Sequence, residues 1–129
     1  MKQRGFTVFE LLALVLLLTV VGIVFWTQKV AIETSARDDT RKTSINAFHY
    51  ALEEVYYPAN KHYPKSLTTS TLPSVDPDLF EDPEGKQINA PDSDYSYEGK
   101  ECTGDACKSY TLRTTLESEA DYIKESRDR

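Results

Sequence analysis

Apolar and polar positions divide the chain into two unlike parts. Residues 6–26 are almost entirely apolar, whereas the chain from Gln28 onward is polar, charged and rich in turn-forming residues. As an α-helix, this apolar stretch of 21 residues would rise about 30 Å, which is the thickness of the hydrocarbon core of a bilayer. The pattern therefore predicts an N-terminal membrane-spanning helix followed by a polar region outside the membrane.

The helix is predicted to continue beyond the apolar stretch. Residues 28–44 contain no Gly or Pro, and their many charged side chains predict a solvated helical neck. Apolar residues then return at helical spacing, as Ile45, Phe48, Leu52 and Val55. Such a stripe is suited to packing against a sheet. Because proline interrupts helical hydrogen bonding, Pro58 is expected to end the helix, which gives one helix over about residues 6–57.

The C-terminal third predicts a small antiparallel sheet. Residues 95–97 form a short alternating strand, and residues 110–117 alternate over a longer stretch. One face of the second strand carries Tyr110, Leu112, Thr114 and Leu116. The predicted fold class is therefore α+β, with a long N-terminal helix packed on a small C-terminal antiparallel β-sheet. The proline-rich residues 58–94 connect the two.

The two cysteines, Cys102 and Cys107, lie close together in the predicted hairpin. An even number of cysteines in an exported domain indicates a disulfide. The spacing also fits half of a metal site, but the sequence has no second cysteine pair, and His49 and His62 are distant in sequence. A disulfide is the preferred interpretation, provided that the domain faces an oxidising compartment.

The net charge and the absence of catalytic motifs in the sequence argue against two classes of function, nucleic-acid binding and enzymatic catalysis. The formal net charge is −6, and an acidic surface repels nucleic acid phosphates, so no general nucleic-acid binding is expected. Neither histidine lies in a catalytic arrangement. The sequence also has no nucleophile elbow, phosphate-binding loop or paired-carboxylate signature. We therefore predict that the chain is not an enzyme.

The residues that flank the apolar stretch predict its orientation in the membrane and whether it is cleaved off. Lys2 and Arg4 precede it and Lys29 follows it, so the positive-inside rule places the N-terminus in the cytoplasm. A secretory signal peptide would end in a small-x-small cleavage site, whereas this stretch ends in Phe25-Trp26-Thr27. The hydrophobic segment is therefore expected to be retained.

Glu10 is the one charged residue within the apolar stretch. A carboxylate inside a bilayer is costly, and by default it suggests a functional partner. The simpler alternative is that Glu10 lies near the membrane edge and extends its side chain to the interface.

The N-terminal sequence resembles the class III signal of type IV prepilins and type II secretion pseudopilins. The similar residues are Gly5-Phe6-Thr7-Val8-Phe9-Glu10-Leu11-Leu12, directly after a short basic leader. Two later segments are similar to parts of the pseudopilin head, which is the domain that follows the membrane-spanning part of the helix. They are a Tyr-Pro-x-x-Leu segment in residues 62–67 and an Asp-Pro-x-Gly turn in residues 81–85. The chain departs from many members of the family because its apolar helix has no late, helix-bending proline.

This resemblance implies a processing and assembly pathway. A prepilin peptidase would cut between Gly5 and Phe6, and Phe6 would become the N-methylated first residue. The helix would be retained, first as a single-pass anchor in the cytoplasmic membrane and later as the polymerisation helix of an extracellular filament. Glu10 matches the family's assembly carboxylate, which would neutralise the Phe6 ammonium of a neighbouring subunit. The implied partners are further copies of this chain, the prepilin peptidase and a pilus or secretion assembly platform.

The resemblance also raises the question of calcium, because several pseudopilins hold this ion in the head. Asp92 and Asp94 are the candidate ligands in this chain. Calcium takes about six to eight oxygen ligands, and no EF-hand pattern follows these residues. Solvated loop acids are the preferred interpretation, and no cofactor is expected.

These expectations divide the chain into six segments. The segments are a cleaved leader (1–5), a transmembrane and polymerisation helix (6–27), a helix continuing into the head (28–57), a connecting region (58–94), a sheet with a disulfide-stapled loop (95–117) and a charged tail (118–129) that frays or forms a weak exposed helix.

The expected function is that of a structural subunit of a type IV pilus or pilus-like filament. The rival is a signal-anchored monomeric binding protein outside the cytoplasm, which leaves Glu10 and the Gly5–Phe6 junction unexplained.

Overall fold

The computed structural model describes residues 5–128, and the chain forms two compact units, Met1–Thr34 and Ser35–Arg129. Helix α1 (Val8–Tyr50) begins in the first unit and ends in the second. By length and composition, the helical region Val8–Asn60 is able to cross a membrane, and its apolar part is not buried against the rest of the chain. The prediction of a long apolar N-terminal helix is confirmed.

The helical region changes its hydrogen-bonding pattern near its end. A π-helix (Ala51–Tyr56) follows α1 without a break, and a single α-helical turn, α2 (Tyr57–Asn60), follows the π-helix. Pro58 lies within α2, so the prediction that it ends the helix is wrong. The helical region ends at Asn60, and the next residue, Lys61, adopts the left-handed conformation with φ 61°.

The second unit contains an antiparallel sheet of four strands around a central strand, β3. Its strands are β1 (Tyr63–Pro64), β2 (Tyr95–Thr103), β3 (Ala106–Thr114) and β4 (Tyr122–Glu125). Strands β1, β2 and β4 each pair with β3. A 3₁₀-helix (Pro77–Phe80) lies in the connection between β1 and β2. The predicted α+β fold is confirmed, although β2 continues past its predicted end and β3 begins and ends earlier than predicted.

The hydrophobic core lies between the end of the helical region and one face of the sheet. The predicted inner face of β3 is correct, because Tyr110, Leu112 and Thr114 are all buried, as is Leu116 beyond the strand. On the helix the core includes Ile45, Phe48, Ala51 and Leu52. The loop between β1 and β2 adds Leu67, Leu72, Val75, Phe80 and Ile88. The long proline-rich connection is therefore a folded part of the head.

The predicted apolar stripe fails at its last position. Val55 is 47% exposed, whereas Glu53, which the α-helical pattern leaves outside the stripe, is 0% exposed. The π-helix explains this difference, because its i→i+5 hydrogen bonds place one more residue in the turn than an α-helix does. Residues after Leu52 are therefore rotated about the helix axis relative to their positions in a regular α-helix.

In the charged C-terminal segment, the described residues 118–128 contain a strand and no helix, contrary to expectation. It contributes strand β4, in which Tyr122 pairs with Thr114 and Glu125 pairs with Thr111. Polar contacts continue beyond the strand, since the Ser126 N–H donates to the Tyr110 carbonyl at 3.1 Å. The segment is thus the fourth strand of the sheet.

The helical neck also differs from expectation, because two of its charged residues are buried. Asp38 is 2% exposed and Arg41 is 3% exposed. The Arg41 guanidinium donates to Asp38 Oδ1 at 2.9 Å, to Glu117 Oε1 at 2.8 Å and to Asp94 Oδ2 at 2.8 and 3.0 Å. Burial alone would raise the pKa of Asp38, but hydrogen bonds from Glu117, Ser118 and Arg41 outweigh it and hold that pKa well below its usual range. This end of α1 is therefore an ion-paired part of the head and not a solvated neck.

Candidate functional site

The start of α1 forms a reciprocal hydrogen-bonded cap between Thr7 and Glu10. The Thr7 N–H donates to Glu10 Oε2 at 2.9 Å, and the Thr7 hydroxyl donates to the same oxygen at 3.1 Å. In return, the Glu10 N–H donates to Thr7 Oγ1 at 3.3 Å. This is the arrangement of a capping box, in which a Thr at the N-cap and a Glu three residues later satisfy the first free N–H groups of a helix. The sequence Thr7-Val8-Phe9-Glu10 contains this signal, but a capping role for Glu10 was not predicted.

The predicted cleavage point lies just outside the helix. Gly5, Phe6 and Thr7 precede the first helical residue, Val8, so the Gly5–Phe6 peptide bond is not part of the helical hydrogen-bond ladder. The Phe6 side chain is 80% exposed. The cap does not involve Gly5, because Thr7 supplies both its N–H and its hydroxyl. A cut between Gly5 and Phe6 would therefore leave the cap intact.

The helix after this cap exposes apolar side chains on all its sides. The exposed large side chains include Leu11, Leu12, Leu14, Val15, Leu16, Leu17 and Leu18 and continue to Phe25 and Trp26. These consecutive positions cover the whole circumference of the helix. An apolar surface of this extent is compatible with a membrane-spanning helix.

The predicted disulfide is formed between Cys102 and Cys107 at the tip of the β2–β3 hairpin. The two cysteines are directly opposed in the sheet, and residues 104–105 make the turn with Gly104 in the left-handed conformation (φ 64°). Cys107 is buried and Cys102 is exposed. A Cβ added to Gly99 would lie 2.7 Å from Cys107 Sγ and 3.3 Å from Cys102 Sγ, so the bridge packs directly on the glycine backbone.

The calcium candidates Asp92 and Asp94 have different surroundings. The Asp94 carboxylate is occupied by the buried Arg41 guanidinium, and the Asp92 carbonyl accepts a hydrogen bond from Lys86 Nζ at 3.0 Å. Within residues 5–128, no three His, Cys, Asp or Glu side chains cluster as metal ligands would. The preferred interpretation of these residues as loop acids without a bound ion, and the alternative of a calcium ion, both stay untested.

The predicted Asp-Pro-x-Gly turn contains a carboxylate that organises the head, which was not foreseen. Asp82 is buried and accepts N–H hydrogen bonds from Glu84, Lys86 and Asp94, each at 2.9–3.0 Å. Burial raises its pKa, but these three donors prevail and lower it below the usual value. Gly85 takes the left-handed conformation that closes the turn (φ 79°). The available signal was an Asp shortly before a turn glycine, since such a side chain often accepts from the N–H groups of its own turn.

A second group that was not predicted is the Glu53 carboxylate, which is buried beneath the C-terminal segment. It accepts hydrogen bonds from the hydroxyls of Tyr63 and Tyr110 at 3.0 Å each. The Tyr110 hydroxyl also contacts His49 Nδ1 at 2.8 Å. Burial, and then the adjacent Glu53 charge, raise the pKa of Tyr110 well above its usual range. No local pattern identifies this centre, because its members come from the helix and from two separate strands.

Comparisons with known proteins do not assign the chain to a family. No protein-family model matches it, and neither curated proteins nor solved structures give a significant match. Support for a function therefore comes from the fold and from the geometry of the N-terminal segment.

Proposed function

We propose that this chain is a structural subunit of a type IV pilus or pilus-like filament. Prepilin peptidase removes residues 1–5, Phe6 is N-methylated, and the exposed apolar helix passes from the cytoplasmic membrane into the core of an extracellular polymer. The observation that carries the proposal is Glu10, a carboxylate set among exposed apolar side chains shortly after the Gly5–Phe6 junction.

The cap geometry supports a double role for Glu10. Within one subunit its carboxylate accepts two hydrogen bonds from Thr7 and thereby fixes the first helical turn. Cleavage would create a Phe6 ammonium, and an unpaired charge of this kind is costly in an apolar environment. A carboxylate accepts at two oxygens, so Glu10 can keep the Thr7 contacts through Oε2 while a second subunit's ammonium approaches Oε1. Pairing then selects one axial position for each incoming subunit.

Three variants separate the capping role of Glu10 from its charge. Glu10→Gln keeps a side chain that completes a capping box but removes the charge. Thr7→Ala removes the two hydrogen bonds of the Thr7 hydroxyl and keeps the charge, and Glu10→Ala removes the charge together with the two bonds that the Glu10 carboxylate accepts. In cells that carry the cognate assembly machinery, we expect Glu10→Gln and Glu10→Ala to insert into the membrane without forming filaments. Thr7→Ala should still yield filaments.

Processing is tested independently by intact mass and N-terminal sequencing of the wild-type chain from sheared filaments. A chain that begins at methylated Phe6 supports the proposal. A chain that still begins at Met1, or that is cut after Trp26, contradicts it. A monomeric signal-anchored binding protein would form no filaments even as the wild type, and the three substitutions would leave its membrane insertion unchanged. Filaments formed by Glu10→Gln would contradict the proposed role of the Glu10 charge.

A further inference from the structure

The π-helix at the end of the long helical region separates two nearby residues into opposite environments. Glu53 is fully buried, and Val55 is 47% exposed. Burying a carboxylate while exposing a valine on the same turn is the reverse of the usual preference. The rest of the structure must therefore supply interactions that hold Glu53 inside.

Those interactions come from three other parts of the chain. The hydroxyls of Tyr63, on β1, and Tyr110, on β3, donate to Glu53. The Arg127 N–H donates to Glu53 Oε1 at 3.1 Å, and the Arg127 guanidinium lies 3.9 Å from Glu53 and 2.7 Å from the Glu54 carboxylate. Arg127 thus closes the centre from the C-terminal side.

The amino-acid sequence favours a different arrangement of this turn. With α-helical i→i+4 bonding, Val55 falls on the stripe that begins at Ile45 and Phe48 and continues through Leu52. Glu53 would then turn toward the solvated flank of the helix. The local pattern and the tertiary contacts therefore prefer two different registers of the same segment.

We propose that residues 51–57 form a two-register switch, in which the C-terminal strap, residues 122–127, holds the π register by closing over Glu53. When the strap is docked, Glu53 is inside and Val55 is outside. When the strap leaves, Glu53 loses its Arg127 contacts, the segment adopts the α register, and Val55 moves into the core. The position of the strap is thereby converted into a rotation of α2 and of the exposed surface around it.

Thiol alkylation at position 55 tests this switch in the full chain, held in detergent micelles with its disulfide intact. Val55→Cys is measured in four backgrounds: otherwise wild type, Arg127→Glu, Glu53→Ala and Lys108→Glu. Arg127→Glu places a charge against Glu53 and Glu54 that repels the strap. Lys108→Glu is the matched control, because it reverses an exposed charge that pairs with Glu101 on the hairpin and lies outside the part of β3 that pairs with the strap.

We expect maleimide to react readily with the introduced thiol in the wild-type and Lys108→Glu backgrounds. The reaction should be about tenfold slower in Arg127→Glu and Glu53→Ala, because burial of the side chain protects the thiol. An unchanged rate in Arg127→Glu overturns the switch, and a faster rate does so as well, since it indicates fraying. If Glu53→Ala loses its near-ultraviolet circular dichroism, the rate in the folded Arg127→Glu variant is decisive. Filament assembly does not enter this measurement, so its outcome is independent of the proposed function.

Discussion

The Asp38 carboxylate accepts the backbone N–H of Glu117 at 2.9 Å, although the two residues are 79 positions apart in sequence. Its other oxygen accepts the N–H of Ser118 at 2.9 Å and the Ser118 hydroxyl at 2.6 Å. One buried side chain on α1 thus fixes the loop that follows β3. The Glu117 carboxylate completes the arrangement by accepting from Arg37 and Arg41.

These contacts predict that the head loses stability in acid. Hydrogen bonds from Arg37 and Arg41 lower the pKa of Glu117 from 4.5 to about 2, and the pKa of Asp38 is also held low. The unfolded chain therefore binds more protons than the folded chain in this range, so the contribution is complete above pH 4.5 and is lost as the pH falls toward about 2. Thermal unfolding in detergent should show a falling midpoint over this window.

Asp38→Asn tests the origin of that pH dependence. Because one of the carboxyls with a lowered pKa is absent, fewer protons are taken up on unfolding, and the midpoint should fall less steeply below about pH 4 than in the wild type. The variant should also be less stable at neutral pH, since the Asn amide nitrogen cannot accept a hydrogen bond as the second carboxylate oxygen does. Equal slopes for the two proteins would assign the acid sensitivity to other groups.

Substitution of Arg41 should be strongly destabilising. Arg41→Met leaves the buried Asp38 without its cation and the Asp94 and Glu117 carboxylates without a shared donor, and breaking a buried pair in this way costs about 3–5 kcal/mol. Arg37→Met is the matched control, because Arg37 is more exposed and exposed pairs contribute about 0–1 kcal/mol. Denaturant unfolding of the two variants measures the difference. A similar decrease in the free energy of unfolding for both variants would show that burial does not increase the contribution of Arg41 to stability.

Gly99→Ala should destabilise the hairpin through a clash with the disulfide. The added Cβ would lie 2.7 Å from Cys107 Sγ and 3.3 Å from the Pro64 carbonyl oxygen, so the strands must shift at a cost of about 1–3 kcal/mol. Ser96→Ala, on the exposed face of the same strand, should change stability by less than about 0.5 kcal/mol. If the clash is with the bridge, replacing both Cys102 and Cys107 by Ala should make the Gly99→Ala effect smaller. An undiminished effect would place the strain at Pro64 instead.

Removal of the Tyr63 hydroxyl should cost more than removal of the Tyr95 hydroxyl. Tyr63 donates to the buried, charged Glu53, whereas Tyr95 donates to the neutral Ser44 hydroxyl at 3.2 Å. Hydrogen bonds to charged groups contribute about 1.5–3 kcal/mol and neutral ones about 1 kcal/mol, so the loss in Tyr63→Phe should exceed that in Tyr95→Phe by roughly 1 kcal/mol. Chemical denaturation of both variants provides the comparison. Equal costs would show that the hydrogen bond to Glu53 is no stronger than the bond to the Ser44 hydroxyl.

Much of the fold was predictable because local pattern and tertiary structure agree. The alternation at Tyr110, Leu112 and Thr114 has the two-residue period of a strand with one buried face, and that face is buried. The paired Cys102 and Cys107 occupy opposed positions at the hairpin tip, where a two-residue turn brings them together. The cap that Thr7 and Glu10 form could also have been predicted, since its spacing is the signal of a capping box.

The amino-acid sequence by itself determined the features that depend on neighbours along the chain: the apolar helix, the alternating strands of the hairpin and their α+β combination. Only the tertiary structure decided the inward turn of Glu53, the burial of Arg41 and the addition of strand β4. The two buried charges depend on partners far away in sequence, Arg127 for Glu53 and Asp94 for Arg41. A charged residue in a helical pattern is assigned to solvent by its own preference, and it is buried only when distant donors and acceptors outweigh the cost of removing it from water.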